Sequence, residues 1–180
     1  ASGILFLGDH DGTALALGLL CPALPIEVVD IDERVLGFAC RTAAARGWRL
    51  RVSAADLRLE LPPTLAGSCS VVFTDPPYTP EGVGLFLARA VEALSPCGHA
   101  RVLMAYGFGE TQTALAYRTQ SVLHQLRLVT EAVLPHFSEY DGAPAIGSTS
   151  ALYVCRPTRR TAAAAAALPT PAQVYTHGRE

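Results

Sequence analysis

An α/β fold built on a mostly parallel sheet of seven strands, the last of them antiparallel, follows from three features of the sequence. Short apolar runs of strand length alternate with Ala- and Leu-rich stretches of helical length from Ile4 to Leu128, which is the pattern of repeated βα units. Ile4-Leu5-Phe6-Leu7 breaks into Gly8-Asp9-His10-Asp11-Gly12 and then into the apolar helix formers Thr13 to Leu20. Strand, tight loop and helix in that order form the first half of a nucleotide-binding unit. The two final strand-like runs, Val129 to Pro135 and Thr149 to Cys155, are joined by a segment too short for a crossover helix, so they pair antiparallel.

The first loop is unusual in its charge. Nucleotide-binding loops put glycines where this chain has Asp9, His10 and Asp11, and carboxylates there repel a phosphate or carboxylate approaching the helix end. The loop therefore suits a cationic ligand. Asp11 or Thr13 is the expected cap of the helix that follows. After Pro22 and Pro25, Ile26 to Asp32 reads as a second buried strand ending in acids. Asp30 follows Gly8 at about the twenty-residue spacing of an acid that holds ribose hydroxyls. Asp32 is the alternative for that role, or else the cap of the helix from Glu33.

Glu33 to Arg46 reads as an Ala-rich helix with Val35, Leu36, Ala39 and Cys40 on one face, ended by Gly47. Trp48 to Ser53 alternates as a third strand and runs into Ala54-Ala55-Asp56-Leu57. Asp56, a second acid at a strand end, is expected to meet the amino group of an adenine. Pro62 and Pro63 mark a surface loop. Ser70 to Thr74 is the fourth strand and delivers Asp75-Pro76-Pro77-Tyr78 at its carboxyl end. Paired prolines fix the backbone and remove amide hydrogens, so carbonyls, an acid and an aromatic stand in a rigid array able to receive an amine. Thr79-Pro80-Glu81 starts a helix over Gly82 to Leu94. Ala100 to Tyr106 is a fifth strand, and Thr113 to Leu128 a helix with Leu115, Val122, Leu123 and Leu126 inward. One folded domain is expected over residues 1–157. Residues 158–180, with the Ala162 to Ala167 run, are expected to form a frayed or disordered tail outside the core.

A length of 180 residues at 50% hydrophobic content supports one domain with a substantial core. The net charge of -2, with all 14 basic residues arginine, gives no basic footprint for nucleic acid. Five cysteines at positions 21, 40, 69, 97 and 155 are odd in number and lack a CxxC pair. They read as buried small hydrophobes in a reducing compartment, with neither a disulfide framework nor metal-ligand spacing. No apolar run reaches membrane-spanning length and no basic signal region is evident, so a soluble cytoplasmic protein is expected. The chain begins almost inside its first strand, and an upstream segment is expected.

Seven strands with a cofactor loop after the first and Asp75-Pro76-Pro77-Tyr78 after the fourth resemble the Rossmann-like class I fold of S-adenosylmethionine-dependent methyltransferases. The Asp-Pro-Pro-Tyr also resembles a motif of methyltransferases acting on exocyclic amines of DNA bases. A narrower resemblance covers residues 4–157: Leu7-Gly8-Asp9-His10-Asp11, Val29-Asp30-Ile31-Asp32-Glu33-Arg34, Phe73 to Gly82, and Phe137-Ser138-Glu139-Tyr140 with Gly142-Ala143 and Ile146-Gly147. These resemble the branched-chain polyamine synthases, N4-bis(aminopropyl)spermidine synthases. The resemblance implies aminopropyl transfer from decarboxylated S-adenosylmethionine to a polyamine such as spermidine. It also implies an N-terminal winged-helix domain, which residues 1–180 do not contain. The family's Gly-Asp-Asp-Asp is Gly8-Asp9-His10-Asp11 here, so His10 must take over the middle acid's work if that acid is the base.

The chemistry demands a site that attracts a polycation and removes a proton. Asp9, Asp11, Asp75, Glu139 and Asp141 are the acids available on loops at the strands' carboxyl end. Asp9, His10 and Asp11 are the expected catalytic group. Gly8, Asp30, Asp32, Asp56 and Asp75 are the expected donor site, and Pro76, Pro77, Tyr78, Glu139, Tyr140 and Asp141 the acceptor site. Decarboxylated S-adenosylmethionine carries an ammonium and no carboxylate, so an acidic first loop favours it over S-adenosylmethionine itself. A methyltransferase of amines or nucleobases using S-adenosylmethionine, and a non-catalytic ligand-binding domain, are the rival readings. A homodimer is compatible with the sequence.

Overall fold

The computed structural model describes residues 3–107, 113–139, 149–171 and 174. Alternation builds the sheet from its centre. In β1 (Ile4–Leu7), Leu5 and Leu7 point to one face and Phe6 to the other, all at most 1% exposed, as period-2 geometry requires. Such a strand is stable only when both faces are covered. α1 (Thr13–Leu20) and α2 (Glu33–Arg46) cover the Phe6 face, whereas α3 (Pro80–Ala93) and α4 (Thr113–Gln125) cover the Leu5 and Leu7 face.

β2 (Ile26–Asp30), β3 (Leu50–Ala54), β4 (Val71–Thr74), β5 (Arg101–Tyr106), β6 (Leu128–Glu139) and β7 (Thr149–Pro157) complete the sheet in the order β3-β2-β1-β4-β5-β7-β6. The first five strands are parallel, and β7 runs antiparallel to both β5 and β6. The chain reverses its direction of travel across the sheet between β1 and β4, and a crevice opens there at the strands' carboxyl ends. Thr74 Oγ1 donates to the carbonyl of Leu7 at 2.9 Å and clamps the two strand ends beside that crevice.

Several expectations are corrected. α4 ends at Gln125 rather than at Leu128, because Arg127 takes a left-handed φ of 56° and turns the chain into β6. β6 is longer than expected, reaching Glu139 through two register shifts. The second spans Pro135, which has no amide hydrogen to give a ladder, and His136 at φ 52°. The buried stripe of α2 is Leu36, Ala39 and Ala43, which leaves Cys40 on the solvent side. Cys21 is also exposed, so only Cys69 and Cys155 are the buried small hydrophobes expected of all five.

The segment after β7 does not lie outside the core. α5 (Thr161–Ala166) packs on α3, with Ala165 and Leu168 against the core. Val174 is 2% exposed, and its carbonyl accepts the Thr79 hydroxyl at 2.9 Å. No helix among the described residues is long and apolar enough to cross a membrane.

Candidate active site

The β1–α1 loop needs two left-handed residues to turn this tightly, and glycines supply them at Gly8 (φ 71°) and Gly12 (φ 76°). The Gly8 amide donates to the Val29 carbonyl at 2.9 Å, so the loop starts level with the end of β2. Asp9 then turns inward. Its amide donates to Asp30 Oδ2 at 3.1 Å, and both of its carboxylate oxygens lie 3.2 Å from the Ala14 amide. That amide is one of the unpaired donors at the start of α1. The expected local cap is therefore only part of the arrangement. Asp11 accepts from the Thr13 amide and hydroxyl, while Asp9 takes Ala14 from five residues upstream.

Asp9 is 4% exposed, and burial, reinforced by the nearby Asp11 and Asp30 charges, pushes its carboxyl up to about 7. It lies beneath the loop and does not face the crevice. His10 and Asp11 do. The His10 side chain is 66% exposed, with Nε2 at 3.3 Å from Asp30 Oδ1.

The two acids at the end of β2 separate clearly. Asp30 is buried and lines the crevice, whereas Asp32 accepts the Arg34 amide at 2.8 Å as the cap of α2. The Arg34 guanidinium is bound to the same carboxylate and holds it well below the usual range. Asp32 is not part of the crevice wall. At the end of β3, Asp56 does line it, gripped by the Arg58 guanidinium through both oxygens at 2.6–3.0 Å. That grip lowers the Asp56 pKa.

Asp75, Pro76, Pro77 and Tyr78 form the wall opposite Asp30. The Tyr78 hydroxyl donates to Asp75 Oδ1 at 3.0 Å, and its ring lies against Tyr106 with centroids 5.4 Å apart. Tyr106 is itself buried and receives the Thr119 hydroxyl at 2.9 Å. Helix α3 starts at once behind this wall. Thr79 caps it through the Gly82 amide at 3.0 Å, and a methyl group on Gly82 would come within 2.8 Å of both the Pro77 side chain and the Val174 carbonyl.

Together these elements enclose a cavity of about 310 Å³. Gly8, His10, Asp11, Asp30, Asp56, Asp75, Pro76, Pro77 and Tyr78 meet in it; Asp9, Asp32 and Glu139 do not. Glu139 is the exposed last residue of β6, and Tyr140 and Asp141 lie outside the described residues. Sequence reasoning missed Arg58, Phe86 and Val174. Arg58 was findable, since Asp56-x-Arg58 repeats the spacing of Asp32-x-Arg34. Phe86 and Val174 carried no such signal, because one reads as helix core and the other as tail.

The model of the branched-chain polyamine synthase A C-terminal domain matches residues 1–168. An uncharacterized protein of Methanocaldococcus jannaschii is 36% identical over 147 residues, covering 82% of this chain and 37% of its own length. The N(4)-bis(aminopropyl)spermidine synthase of Thermococcus kodakarensis is 30% identical over 141 residues, 76% of this chain and 39% of that protein. This chain thus spans well under half of the curated relatives it matches. The crystal structure of the branched-chain polyamine synthase from Thermus thermophilus, in complex with N4-aminopropylspermidine and 5'-methylthioadenosine, superposes with a TM-score of 0.74 at 28% identity. It covers 88% of this chain and 51% of that one. A geranyl diphosphate C-methyltransferase from Streptomyces coelicolor, at 12% identity and a TM-score of 0.66, shares the methyltransferase-like fold. On the match across nearly its whole length, the chain belongs to the family of branched-chain polyamine synthase A C-terminal domains.

Proposed function

We propose that this chain carries the catalytic centre of an aminopropyltransferase, which moves the aminopropyl group of decarboxylated S-adenosylmethionine to a polyamine such as spermidine and gives a branched polyamine. The observation that carries this reading is the distribution of charge in the cavity. Asp11, Asp30, Asp56 and Asp75 all line it, while the guanidinium lining it, that of Arg58, is bound to Asp56. Such a cavity favours a donor with a sulfonium and an ammonium but no carboxylate, together with a polycationic acceptor. Its volume of about 310 Å³ suits a nucleoside. The relative from Thermus thermophilus supports the reading, since 5'-methylthioadenosine is this donor without its aminopropyl group, and N4-aminopropylspermidine is a spermidine carrying one.

In this reading Asp30 receives the ribose hydroxyls, and Ile31, Leu57 and Phe86 supply apolar surface for the adenine. Asp56 accepts the adenine amino group, its carboxylate fixed by Arg58. Asp75 and Asp11 attract the protonated ends of the polyamine. Tyr78 keeps Asp75 oriented and offers its ring to an amine. The attacking nitrogen must be neutral. It forms a bond to the methylene beside sulfur, the carbon–sulfur bond breaks with its electron pair going to sulfur, and the nitrogen gives up a proton. His10 is the base best exposed to take that proton; a buried Asp9 behind the loop is not within the cavity.

Calorimetric titration with decarboxylated S-adenosylmethionine and with S-adenosylmethionine, followed by turnover on spermidine, tests the proposal. Tighter binding of the decarboxylated donor and release of 5'-methylthioadenosine with aminopropylated spermidine are expected. Preference for S-adenosylmethionine with methyl transfer would make the protein a methyltransferase, and binding without turnover would make it a ligand-binding domain.

A further inference from the structure

The carboxylate of Asp30 is almost fully subscribed. Oδ2 receives the Asp9 amide at 3.1 Å, and Oδ1 receives the Asp32 amide at 2.8 Å with His10 Nε2 3.3 Å away. A carboxylate offers about four acceptor positions. Two belong to backbone amides that hold the β1–α1 loop and the start of α2, and neither can leave without moving an element. When Nε2 carries a proton, the imidazolium pairs with Oδ1 and stands across the approach to it. A ribose presents two vicinal hydroxyls that need that approach clear. Among the described partners of Asp30, His10 alone is an exposed side chain, at 66% against 3% for Asp30. It is the group that can yield.

We propose that His10 contests Asp30 with the donor's ribose, so that nucleoside binding expels the imidazole from Asp30 and delivers it to the amine side of the cavity. This inference rests on the reading of Asp30 as the ribose acid. It gives His10 two successive partners and makes binding ordered, donor before acceptor. It also couples nucleoside affinity to protonation, because an imidazolium holds a carboxylate more tightly than a neutral imidazole does. The other charged groups of the cavity belong to different elements: Asp11 on the same loop, Asp75 after β4, and Asp56 with Arg58 after β3, while Asp9 lies beneath. All of them remain in a His10→Gln protein, so their own titration is common to both proteins.

5'-Methylthioadenosine is the suitable probe, since it has the ribose and adenine but no ammonium. Its affinity is measured by calorimetry at pH 5.5 and 8.0 in the wild type and in His10→Gln. The wild type is expected to lose about fivefold or more affinity at the lower pH beyond any loss in the variant, the size of an ordinary coupling between two ligands. In proton NMR, the His10 ring signals are expected to shift when the nucleoside is added, because the imidazole leaves Asp30. Equal pH dependence in the two proteins, or ring signals that the nucleoside leaves in place, overturns the competition while leaving the nucleoside site intact. Failure of 5'-methylthioadenosine to bind either protein at pH 8.0 instead removes the nucleoside site itself, and the competition with it.

Discussion

Asp9 gives its amide to Asp30 across 3.1 Å and turns its own carboxylate to the first turn of α1. One residue thus joins the end of β1 to the end of β2 and seals a helix. Its carboxyl is raised from 3.8 to about 7 by burial. A raised acid keeps its proton in the folded state over a range where the unfolded chain has lost it. The resulting stability is fully present below about pH 4 and is lost as pH rises through about 7. Asp9→Asn keeps an oxygen for Ala14 and removes the titration. Urea unfolding at pH 4.5 and 7.5 should show the wild type losing more stability over that interval than the variant; parallel losses would show that Asp9 is ionised throughout.

Alanine substitutions at Asp30 and Asp32 should separate two acids that sit two residues apart. Asp30→Ala should weaken 5'-methylthioadenosine binding by about 1–3 kcal/mol, the worth of charge-assisted hydrogen bonds. Asp32→Ala should leave that affinity unchanged and lower stability by about 0.5–2 kcal/mol through loss of the α2 cap. Calorimetry and denaturant unfolding on both proteins read the two effects. Unaltered affinity at position 30 would dismiss it as the ribose acid.

This pair also marks where reading the sequence stops. Hydrophobic alternation and Gly8 were enough to place β1, β2 and the loop that follows β1, because strand period and backbone freedom are local properties. Nothing local distinguishes Asp30 from Asp32. The distinction comes from register: Asp30 pairs with Ala54 at the last rung of the sheet, where its side chain is enclosed. Asp32 is past the sheet and free to cap. Asp9 looked catalytic for the same reason, since only the packed structure reveals that it faces the helix rather than the cavity. The role of Val174 rests on a contact with Thr79 across 95 positions, beyond the reach of any pattern.

Gly82→Ala should cost about 1–3 kcal/mol by overpacking, because the new methyl would meet the Pro77 side chain and the Val174 carbonyl at 2.8 Å. Pro77 would shift with it, and nucleoside affinity should fall as well. Gly98→Ala, with nothing within 4 Å, is the control and should move neither midpoint nor affinity. A Gly82 variant with wild-type values in both measurements would show the wall to be yielding.

His10→Ala should depress aminopropyl transfer by about 10²-fold, the usual worth of a general base. His10→Asp should raise transfer above the wild type and extend it toward lower pH, since a carboxylate stays ionised where an imidazole is protonated. Superimposable pH–rate profiles for the three proteins would make position 10 a bystander and pass the base role to Asp11.

Tyr78→Phe removes the hydroxyl bond to Asp75 and keeps the ring on Tyr106. The loss should be about 1 kcal/mol, near fivefold in kcat/KM for the amine, with 5'-methylthioadenosine affinity unchanged. Equal losses in both would place Tyr78 in the donor site.

The position of β7 between β5 and β6 dictates an order of assembly. Among the described residues, β7 is the partner of β6 in the sheet and the partner of β5 on that side. During synthesis, β6 therefore leaves the ribosome with nowhere to pair, and its backbone donors and acceptors stay in water until residues 149–157 follow. The two strands then join the parallel half together, as a hairpin. A nascent chain arrested before Thr149 should retain β1 to β5 yet expose the open edge of β5, the most adhesive surface an unfinished sheet can present.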